Sequence, residues 1–199
     1  MDALLLAGGY ATRLYPLTLD RPKALLPVGG RTIVDRIIDL LVASDKIERF
    51  FLVTNAKFAP HFTSWLGTRT WEKPVEVISD GTTSNEGRLG AMGDLRFALD
   101  HADLDTARGL FALSTDNLTR LDLTQLVRLS QERGATAVFA LRVSDPARLR
   151  RMGVVLLDEA GRVIDFVEKP KEPKSDLGVP SFYAYSARAV GLVKDYLDA

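Results

Sequence analysis

Two glycines and two cations near the N-terminus have the types and spacing of a phosphate-binding site. An apolar run over 3–6 leads into Gly8 and Gly9, where the missing side chains let backbone N–H groups approach an anion closely. Arg13 offers a planar fork of donors for phosphate oxygens, and Lys23 adds a compact point charge on the same loop. These residues together predict that a phosphorylated compound binds after the first strand.

Taken one at a time, the same residues also have ordinary structural interpretations. The glycine pair alone is typical of a plain turn between a strand and a loop. Arg13 and Lys23 alone are typical of solvated surface charges. A functional interpretation therefore depends on the order and spacing of the whole segment.

The first thirty residues carry three short motifs in a fixed order. The chain reads GGYATRL over 8–14, PLT over 16–18 and PKALLPV over 22–28. This order resembles the signature of the sugar-nucleotide pyrophosphorylases, the NDP-sugar nucleotidyltransferases, which is Gly-Gly-x-Gly-Thr-Arg-Leu, Pro-Leu-Thr and Pro-Lys-x-Leu-Leu-Pro-Val. The resemblance implies catalytic roles for Arg13 and Lys23. It implies nucleotide binding by Leu6, Ala7, Gly8, Gly9, Arg13, Lys23, Gly81 and Gly90.

One position of the first motif departs from the family pattern. Ala11 stands where the family usually has glycine. A methyl group there either narrows the approach to the phosphates or is tolerated, if the φ angle of Ala11 is negative.

Asp116 follows a predicted strand over 110–114, within the sequence STDNL. By itself, a carboxylate in this place is typical of a turn or a helix cap. In the family that the chain resembles, an aspartate after this strand coordinates Mg²⁺, and Asp116 occupies the matching position. The resemblance therefore implies Mg²⁺ as the cofactor and Asp116 as its ligand.

A third group of residues lies in the last quarter of the chain, where DFVEKP at 165–170 resembles the Glu-Lys-Pro element of the same family. There the lysine contacts the sugar phosphate and the glutamate a sugar hydroxyl. The resemblance therefore implies that Lys169 takes part in catalysis and binds the sugar phosphate, and that Glu168 binds the sugar. Gly153 matches a family glycine that lets the backbone lie against the sugar, so it is also assigned to this site. By themselves, Glu168 and Lys169 fit a solvated ion pair, and Gly153 fits a turn at a strand entry.

A polar loop over 80–90 lies where the family recognises the nucleotide base. The family commonly has a glutamine there, and this loop has none. The loop is more similar to branches that include choline-phosphate cytidylyltransferases, so uracil, thymine, cytosine and guanine all stay open as the base. Only Gly81 and Gly90 are assigned to nucleotide binding, because the other residues fit a plain surface loop equally well.

Composition excludes several other classes of protein. The 199 residues are 46% hydrophobic and 26% charged, which is ordinary for a globular domain with its own core. Lys plus Arg equals Asp plus Glu at 26 each, so net charge favours neither nucleic acid nor a membrane surface. Cysteine is absent, which excludes disulfides, thiolate metal sites and a thiol nucleophile. We expect a nucleoside triphosphate and a sugar 1-phosphate as partners, and no nucleic acid or membrane.

The start of the chain has no basic segment before its apolar run, and no apolar run is long enough to cross a bilayer. We therefore expect a cytoplasmic protein. The sequence leaves open whether copies associate into a homo-oligomer.

Strands and helices alternate along the first 140 residues. Hydrophobic spacing predicts strands at 3–6, 50–54, 75–79, 110–114 and 136–141, and helices at 32–43, 58–66, 89–99 and 123–132. After residue 150 it predicts a hairpin of 154–157 with 163–167, a polar proline-rich segment over 168–180, a strand at 181–185 and a helix at 187–197.

This order predicts an α/β fold with helices on both faces of a mostly parallel sheet and ligand sites beyond the carboxyl ends of the strands. With the resemblance, it implies a Rossmann-like, three-layer α/β/α nucleotidyltransferase fold. The sheet is mostly parallel but mixed, and a C-terminal, hairpin-containing part binds the sugar.

We expect residues 1–199 to form a single nucleotidyltransferase domain that is short at its C-terminus. Family members usually continue further and supply a second metal-binding aspartate, whereas Asp195 and Asp198 fit solvated carboxylates at a helix end. The expected activity is Mg²⁺-dependent transfer of a nucleoside monophosphate from a nucleoside triphosphate to a sugar 1-phosphate. Two alternatives stay open: a nucleotide- or sugar-phosphate-binding protein or truncated form with little transferase activity, and a cytidylyltransferase that acts on phosphocholine-like acceptors.

Overall fold

The computed structural model describes residues 1–68 and 70–198, except for the side chains at 194, 197 and 198. In chain order, its strands and helices are β1 (Asp2–Ala7), β2 (Pro27–Val28), β3 (Arg31–Thr32), α1 (Ile33–Val42), β4 (Phe50–Thr54), α2 (Ala59–Leu66), β5 (Val75–Ser79), α3 (Gly90–His101), β6 (Leu110–Ser114), α4 (Thr124–Arg133), β7 (Ala137–Val138), β8 (Leu141–Arg142), α5 (Pro146–Leu149), β9 (Gly153–Leu157), β10 (Val163–Glu168), β11 (Leu177–Val179), β12 (Phe182–Tyr185) and α6 (Ala187–Asp198). Two short 3₁₀ turns, Thr12–Leu14 and Lys23–Leu25, lie between β1 and β2.

These elements form two compact units. The larger comprises Met1–Ala137 and the segment from Tyr183 onward, and the smaller comprises Val138–Phe182. A six-stranded sheet of order β5-β4-β1-β6-β12-β7 belongs to the larger unit, and a four-stranded sheet of order β10-β9-β11-β8 belongs to the smaller one. A single domain over 1–199 stays a prediction.

Four parallel strands form the centre of the larger unit. β1 pairs with β4 on one side and with β6 on the other, and β4 also pairs with β5. Leu5 of β1 lies opposite Leu52 and Leu113, and all three side chains are fully buried. Such continuous apolar strands are typical of a parallel sheet that is covered on both faces.

The helices α3 and α6 cover one face of this sheet. Leu95 and Ala98 of α3 and Val190 of α6 pack in one buried cluster with Leu4 of β1 and Phe51 of β4. The neighbouring strand residues point to the opposite face and are equally buried, as expected for the middle of three layers. The predicted α/β class with a mostly parallel sheet is therefore confirmed.

The segment that carries Lys23 is fixed at its far end by a hairpin and a helix cap. Gly29 and Gly30 form the two-residue turn between β2 and β3, both with the positive φ that this turn requires. Thr32 then begins α1 with a capping box: its hydroxyl oxygen accepts from the N–H of Asp35 at 3.1 Å, and the Asp35 carboxylate accepts from the N–H of Thr32 at 3.3 Å. Two N–H groups without helical partners are satisfied in this way.

Hydrogen bonds join the loops at the carboxyl edge of the parallel strands. Asn55, directly after β4, donates from Nδ2 to the carbonyl of Gly8 at 3.0 Å. Thr115, directly after β6, donates its hydroxyl to the carbonyl of Leu6 at 3.0 Å. The loop after β1 is therefore anchored to the residue after β4, and the end of β1 itself to the residue after β6, at the edge where open α/β sheets bind ligands.

The smaller unit is built on the predicted hairpin. β9 and β10 pair in antiparallel fashion, and β11 joins the other side of β9. Val143, Leu149 and Val154 form its buried cluster, with Met152 packed against them. The unit thus has a small core of its own.

Two details of the predicted elements are wrong. The apolar run over 136–141 forms two strands, β7 and β8, which belong to different sheets. The boundary between the units falls after Ala137, so the two ends of the run pair with different neighbours. The polar segment over 168–180 also contains a strand, β11, which its composition does not indicate.

Candidate functional site

A cavity of about 420 Å³ lies at the carboxyl ends of β1 and β6 in the larger unit. Six residues predicted from the sequence line it: Leu6, Ala7, Gly9, Arg13, Lys23 and Asp116. The remaining lining residues are Ala11, Leu14, Ala24, Ser114 and Thr115. The structure thus brings together part of the glycine turn, both predicted cations and the predicted carboxylate.

Lys23 and Asp116 form an ion pair within this cavity. Lys23 Nζ lies 3.1 Å from Asp116 Oδ2, and the hydroxyl of Ser114 donates to Asp116 Oδ1 at 2.6 Å. The two charged side chains are 32% and 48% exposed. Ion pairs of this exposure contribute at most about 1 kcal/mol, so a phosphate or a metal ion can compete for either partner.

Ala11 has φ 49° and ψ 39°, in the left-handed region. Its carbonyl accepts from the N–H of Leu14 and from the hydroxyl of Thr18, each at 2.9 Å, and these bonds hold the turn that carries Arg13. The backbone at Ala11 therefore does not adopt the negative φ that alanine favours. The methyl group costs about 1–2 kcal/mol relative to a relaxed backbone at this position.

Gly8 lies outside the cavity lining and packs against Asp94 of α3. A methyl carbon added to Gly8 would lie 2.5 Å from Asp94 Oδ2, which is too close for any side chain. Burial, followed by the negative charge and hydrogen bonding of Asp80, raises the pKa of Asp94 to about 7. Packing thus explains the glycine, and its contact with a nucleotide stays a prediction.

Gly81 lies in the loop between β5 and α3, and Gly90 is the first residue of α3; both are outside the cavity lining. Their φ angles are 79° and 75°, which favour glycine at both positions. Between them, Thr82 is fixed by the carboxylate of Asp80, which accepts from its N–H and from its hydroxyl, each at 2.7 Å. Backbone conformation accounts for both glycines, and base recognition by this loop stays a prediction.

Sequence reasoning missed three polar residues that hold these loops: Asn55, Thr115 and Tyr10. Asn55 and Thr115 each follow an apolar strand directly, and that position is the signal that could have indicated them. The hydroxyl of Tyr10 donates to the carbonyl of Thr82 at 3.1 Å, across 72 residues of sequence. No local pattern predicts a contact of that range.

The smaller unit groups the three residues predicted to bind the sugar phosphate. Gly153 lies opposite Glu168 in the β9–β10 pair, and the N–H of Lys169 donates to the carbonyl of Met152 at 3.0 Å. Lys169 Nζ lies 2.8 Å from Glu168 Oε1, and the two side chains are 64% and 56% exposed. The structure therefore places Gly153, Glu168 and Lys169 at one end of the hairpin.

Two backbone features mark this end of the hairpin. Lys169 has φ 48°, a conformation that residues with side chains rarely adopt. A methyl carbon on Gly153 would lie 2.5 Å from Cζ of Phe166 and 3.3 Å from Oε2 of Glu168. Gly153 is buried, and the ring of Phe166 fills the space that a side chain at this position would need.

The chemistry of the cavity suits Mg²⁺ that is shared with a substrate. Among residues 1–68 and 70–198, no group of three or more acidic or histidine side chains could hold a metal ion. Mg²⁺ commonly needs only one or two carboxylates when substrate phosphates and water complete its shell, and Asp116 provides one such carboxylate. Asp195 lies exposed on α6, whereas the side chain of Asp198 lies outside the described residues.

No helix in the described part of the chain is both long and apolar enough to span a membrane.

Comparison with known proteins extends these observations along the whole chain. A family model described as nucleotidyl transferase matches residues 2–198. The chain is 32% identical over 177 residues to mannose-1-phosphate guanylyltransferase of Mycobacterium tuberculosis, a match that covers 88% of this chain and 46% of that protein. It is 30% identical over 194 residues to glucose-1-phosphate thymidylyltransferase of Mycolicibacterium smegmatis, with 98% and 64% covered. The chain thus spans about half to two thirds of the length of these relatives.

The fold is also that of a known enzyme structure. UDP-glucose pyrophosphorylase in complex with UDP-glucose superimposes with a TM-score of 0.79 at 16% identity, over 98% of this chain and 79% of that one. The family match includes the loop after β1 that forms the cavity and the hairpin end that carries Lys169. The chain therefore belongs to the nucleotidyl transferase family.

Proposed function

We propose that this protein transfers a nucleoside monophosphate from a nucleoside triphosphate to a sugar 1-phosphate, which gives a nucleoside diphosphate sugar and pyrophosphate. The observation that carries the proposal is the cavity in which Arg13, Lys23 and Asp116 lie beside the glycine turn. Two polyanions must meet in this reaction, and a cavity with two cations reduces their repulsion. The names of the guanylyl- and thymidylyltransferase relatives support the same proposal.

The chemical step needs positioning more than proton transfer. An oxygen of the sugar 1-phosphate forms a bond to the α-phosphorus. The bond from the α-phosphorus to the oxygen that bridges it to the β-phosphorus breaks, and the electron pair of this bond leaves with pyrophosphate. The attacking oxygen is already ionised, so no general base is required.

In this proposal the larger unit binds the nucleotide. Arg13 and Lys23 hold the triphosphate and stabilise the charge that builds up on the leaving pyrophosphate. The backbone after β1 lies against the nucleotide, and the loop after β5 contacts the base. The residues concerned are Leu6, Ala7, Gly8, Gly9, Gly81 and Gly90.

The smaller unit binds the acceptor. Lys169 holds the acceptor phosphate, Glu168 accepts a hydrogen bond from a sugar hydroxyl, and the bare backbone of Gly153 lies against the sugar. The ion pair between Lys169 and Glu168 keeps both groups at one end of the hairpin before the acceptor arrives.

Asp116 would hold Mg²⁺, which supplies positive charge to the phosphate oxygens when bound. Asp116 and Lys23 neutralise each other in the absence of substrate. A triphosphate that arrives with its metal ion offers Lys23 phosphate oxygens in exchange for the carboxylate. Chelation with EDTA is therefore expected to abolish turnover, and added Mg²⁺ to restore it.

Pyrophosphate release from a substrate panel tests the proposal. UTP, dTTP, CTP and GTP are each incubated with Mg²⁺ and with glucose 1-phosphate, mannose 1-phosphate, N-acetylglucosamine 1-phosphate or phosphocholine. Release with a sugar 1-phosphate supports the proposal and identifies base and sugar together. Release with phosphocholine alone contradicts the proposed acceptor and favours the cytidylyltransferase alternative, while nucleotide binding without any release favours a binding protein.

We also propose that residues 1–199 act as one nucleotidyltransferase domain, because the family match runs through both units. Cytoplasmic location stays a prediction from the sequence, and whether copies associate stays open.

A further inference from the structure

Two buried carboxyl groups of the larger unit have no role in the proposed chemistry. Asp80 directly follows β5 and is 8% exposed, and Asp94 lies in α3 and is 4% exposed. One oxygen of each, Asp80 Oδ2 and Asp94 Oδ1, is shielded from solvent and lacks a hydrogen-bond partner among the described residues. Ionised carboxylates only accept hydrogen bonds, so two such oxygens side by side would both stay unsatisfied.

The two carboxyls lie within hydrogen-bonding reach of each other. Asp80 is the charged side chain that acts on Asp94, and no cation among the described groups offsets it. The loop after β1 presents backbone at Gly8 to Asp94, and Tyr10, a titratable residue of that loop, is engaged with the carbonyl of Thr82. Burial and the Asp80 charge raise the pKa of Asp94 to about 7, which keeps its proton available under ordinary conditions.

The pair lies between the two loops that the proposed function assigns to the nucleotide. On one side, Asp94 packs directly against Gly8. On the other side, Asp80 holds Thr82, and the carbonyl of Thr82 accepts from the hydroxyl of Tyr10 at 3.1 Å and from the N–H of Ala56 at 2.9 Å. A bond between the two carboxyls would therefore complete a closed set of contacts from the loop after β1 to the loop after β5.

We propose that Asp80 and Asp94 share one proton, donated by Asp94 to Asp80, and that this hydrogen bond fixes the loop after β5 against the loop after β1 for nucleotide binding. The shared proton satisfies both orphaned oxygens at once. Asp94 is then a positioning residue, since it acts through the two loops rather than on the substrate. The positioning role rests on the proposed nucleotide-dependent function, whereas the shared proton does not.

Direct titration tests the shared proton. The full chain, labelled with ¹³C at the aspartate carboxyls, is titrated by NMR from pH 4 to 9, and the Asp94 signal is identified by its loss in Asp94→Asn. We expect Asp94 to titrate near pH 7, and its midpoint to fall by at least one unit in Asp80→Asn, because the neighbouring charge is gone. An Asp94 midpoint near 4 in the unmodified chain overturns the proposal.

Nucleotide affinity tests the positioning role. The dissociation constants of the Mg²⁺ complexes of UTP, dTTP, CTP and GTP are measured at pH 6 and 8.5 for the unmodified chain, Asp94→Asn and Asp45→Asn. Asparagine donates to Asp80 at every pH, whereas Asp45 is an exposed carboxylate outside both loops and serves as the matched control. Phosphate groups also titrate near this range, so only the difference between variants is interpreted.

For the nucleotide that binds, we expect affinity to fall about tenfold between these pH values in the unmodified chain and in Asp45→Asn, and less than twofold in Asp94→Asn. Equal pH dependence in all three overturns the positioning role, and so does the absence of binding for every nucleotide. Pyrophosphate release is followed separately. Its absence at every pH contradicts the proposed transferase while the NMR titration still decides whether the proton is shared.

Discussion

The candidate sites of the two units are held in place by different means. In the larger unit, Asp116 follows the buried strand β6, and Lys23 lies in a 3₁₀ turn on the segment after β1. Hydrogen bonds from the residues that follow β4 and β6 hold Gly8 and the end of β1. In the smaller unit, Glu168 ends the outermost strand of a four-stranded sheet, Lys169 follows it directly, and both side chains are more than half exposed. The first site is fixed by contacts distant in sequence, whereas the second depends mainly on the backbone of one hairpin.

This difference indicates separate contributions to the proposed reaction. A cavity that is anchored on several strands is preorganised for the developing charge of the transition state, so its cations should control kcat. Exposed residues on a hairpin end should mainly contribute binding energy for the acceptor, which appears in KM. Mutations in the two units therefore test whether the units divide the work in this way.

Lys23→Ala should have the largest effect. Its ammonium group is the cation paired with Asp116 in the cavity, and its loss removes charge stabilisation that no neighbouring group replaces in kind. We expect kcat to fall by at least about a hundredfold with an unchanged unfolding midpoint, since exposed ion pairs add little stability. Pyrophosphate release and urea unfolding measure the two quantities.

The control for this change is Lys46→Ala, which removes an exposed lysine of the same unit that pairs with its neighbour Asp45. It should retain full activity. Near-normal turnover in a folded Lys23→Ala protein would falsify the assignment of Lys23 to the cavity chemistry.

The pH dependence of stability should show the next largest effect, because the larger unit raises the pKa of one carboxyl group and the smaller unit lowers the pKa of another. Asp94 keeps its proton up to about pH 7 in the folded chain, against 3.8 for the unperturbed group. Folding thus takes up a proton between these values, and stability is lost as pH rises towards 7. The loss approaches about 1.4 kcal/mol per pH unit and ends above pH 7.

Asp158 of the smaller unit behaves in the opposite sense. Hydrogen bonds from Arg162 lower the pKa of this carboxyl, so its contribution is present above its ordinary pKa and lost as pH falls. Urea unfolding of the unmodified chain and of Asp94→Asn at pH 5, 6, 7 and 8 isolates the contribution of the Asp94–Asp80 pair, because groups that do not interact with the pair cancel in the difference. A difference that is constant with pH contradicts the assignment.

Substitutions at Lys169 should have a smaller effect on activity, and they distinguish the role of the Lys169 side chain from that of its backbone conformation. Lys169→Ala and Lys169→Gly both remove the ammonium group, so both should raise KM for the sugar 1-phosphate about tenfold with a smaller change in kcat. Only glycine relieves the φ of 48°, so Lys169→Gly should be more stable than Lys169→Ala by about 0.5–1 kcal/mol. Equal KM values for the unmodified chain and both variants would rule out acceptor binding by Lys169.

The same contrast between local and distant contacts explains what the sequence could predict. Hydrophobic spacing located strands such as β4 and β5 at their observed bounds, because alternation and periodicity are local. The carboxyl-edge rule and the family resemblance correctly indicated that Asp116 would lie near the glycine turn. Neither could predict the split of 136–141 between two sheets, since strand partners are set by the tertiary fold.

Within the candidate site, the unpredicted features all depend on contacts across the sheet. Asp94 and Gly8 are 86 positions apart in the sequence, yet the packing of Asp94 explains why position 8 is a glycine. In the sequence, Asp80 is one residue of a polar loop, and no local pattern indicates its buried partner Asp94 on α3. The sequence does not predict whether the φ of Ala11 is positive or negative, because this angle is set by the hydrogen bonds that Leu14 and Thr18 donate to the Ala11 carbonyl.

Ala11→Gly should give the smallest effect and the sharpest comparison of the two strained positions. The left-handed conformation of alanine costs about 1–2 kcal/mol, part of which glycine offsets through its larger unfolded-state entropy. We therefore expect stability to rise by about 0.5–1 kcal/mol and activity to stay within about twofold, measured by urea unfolding and pyrophosphate release. Ala43→Gly, at φ −71°, is the matched control and should lose stability. If both substitutions destabilise equally, Ala11 is not strained. If only Ala11→Gly stabilises, the backbone strain at Ala11 can be removed without loss of function. Lys169 has nearly the same φ, but its side chain is needed for the proposed reaction, so its strain cannot be removed in this way.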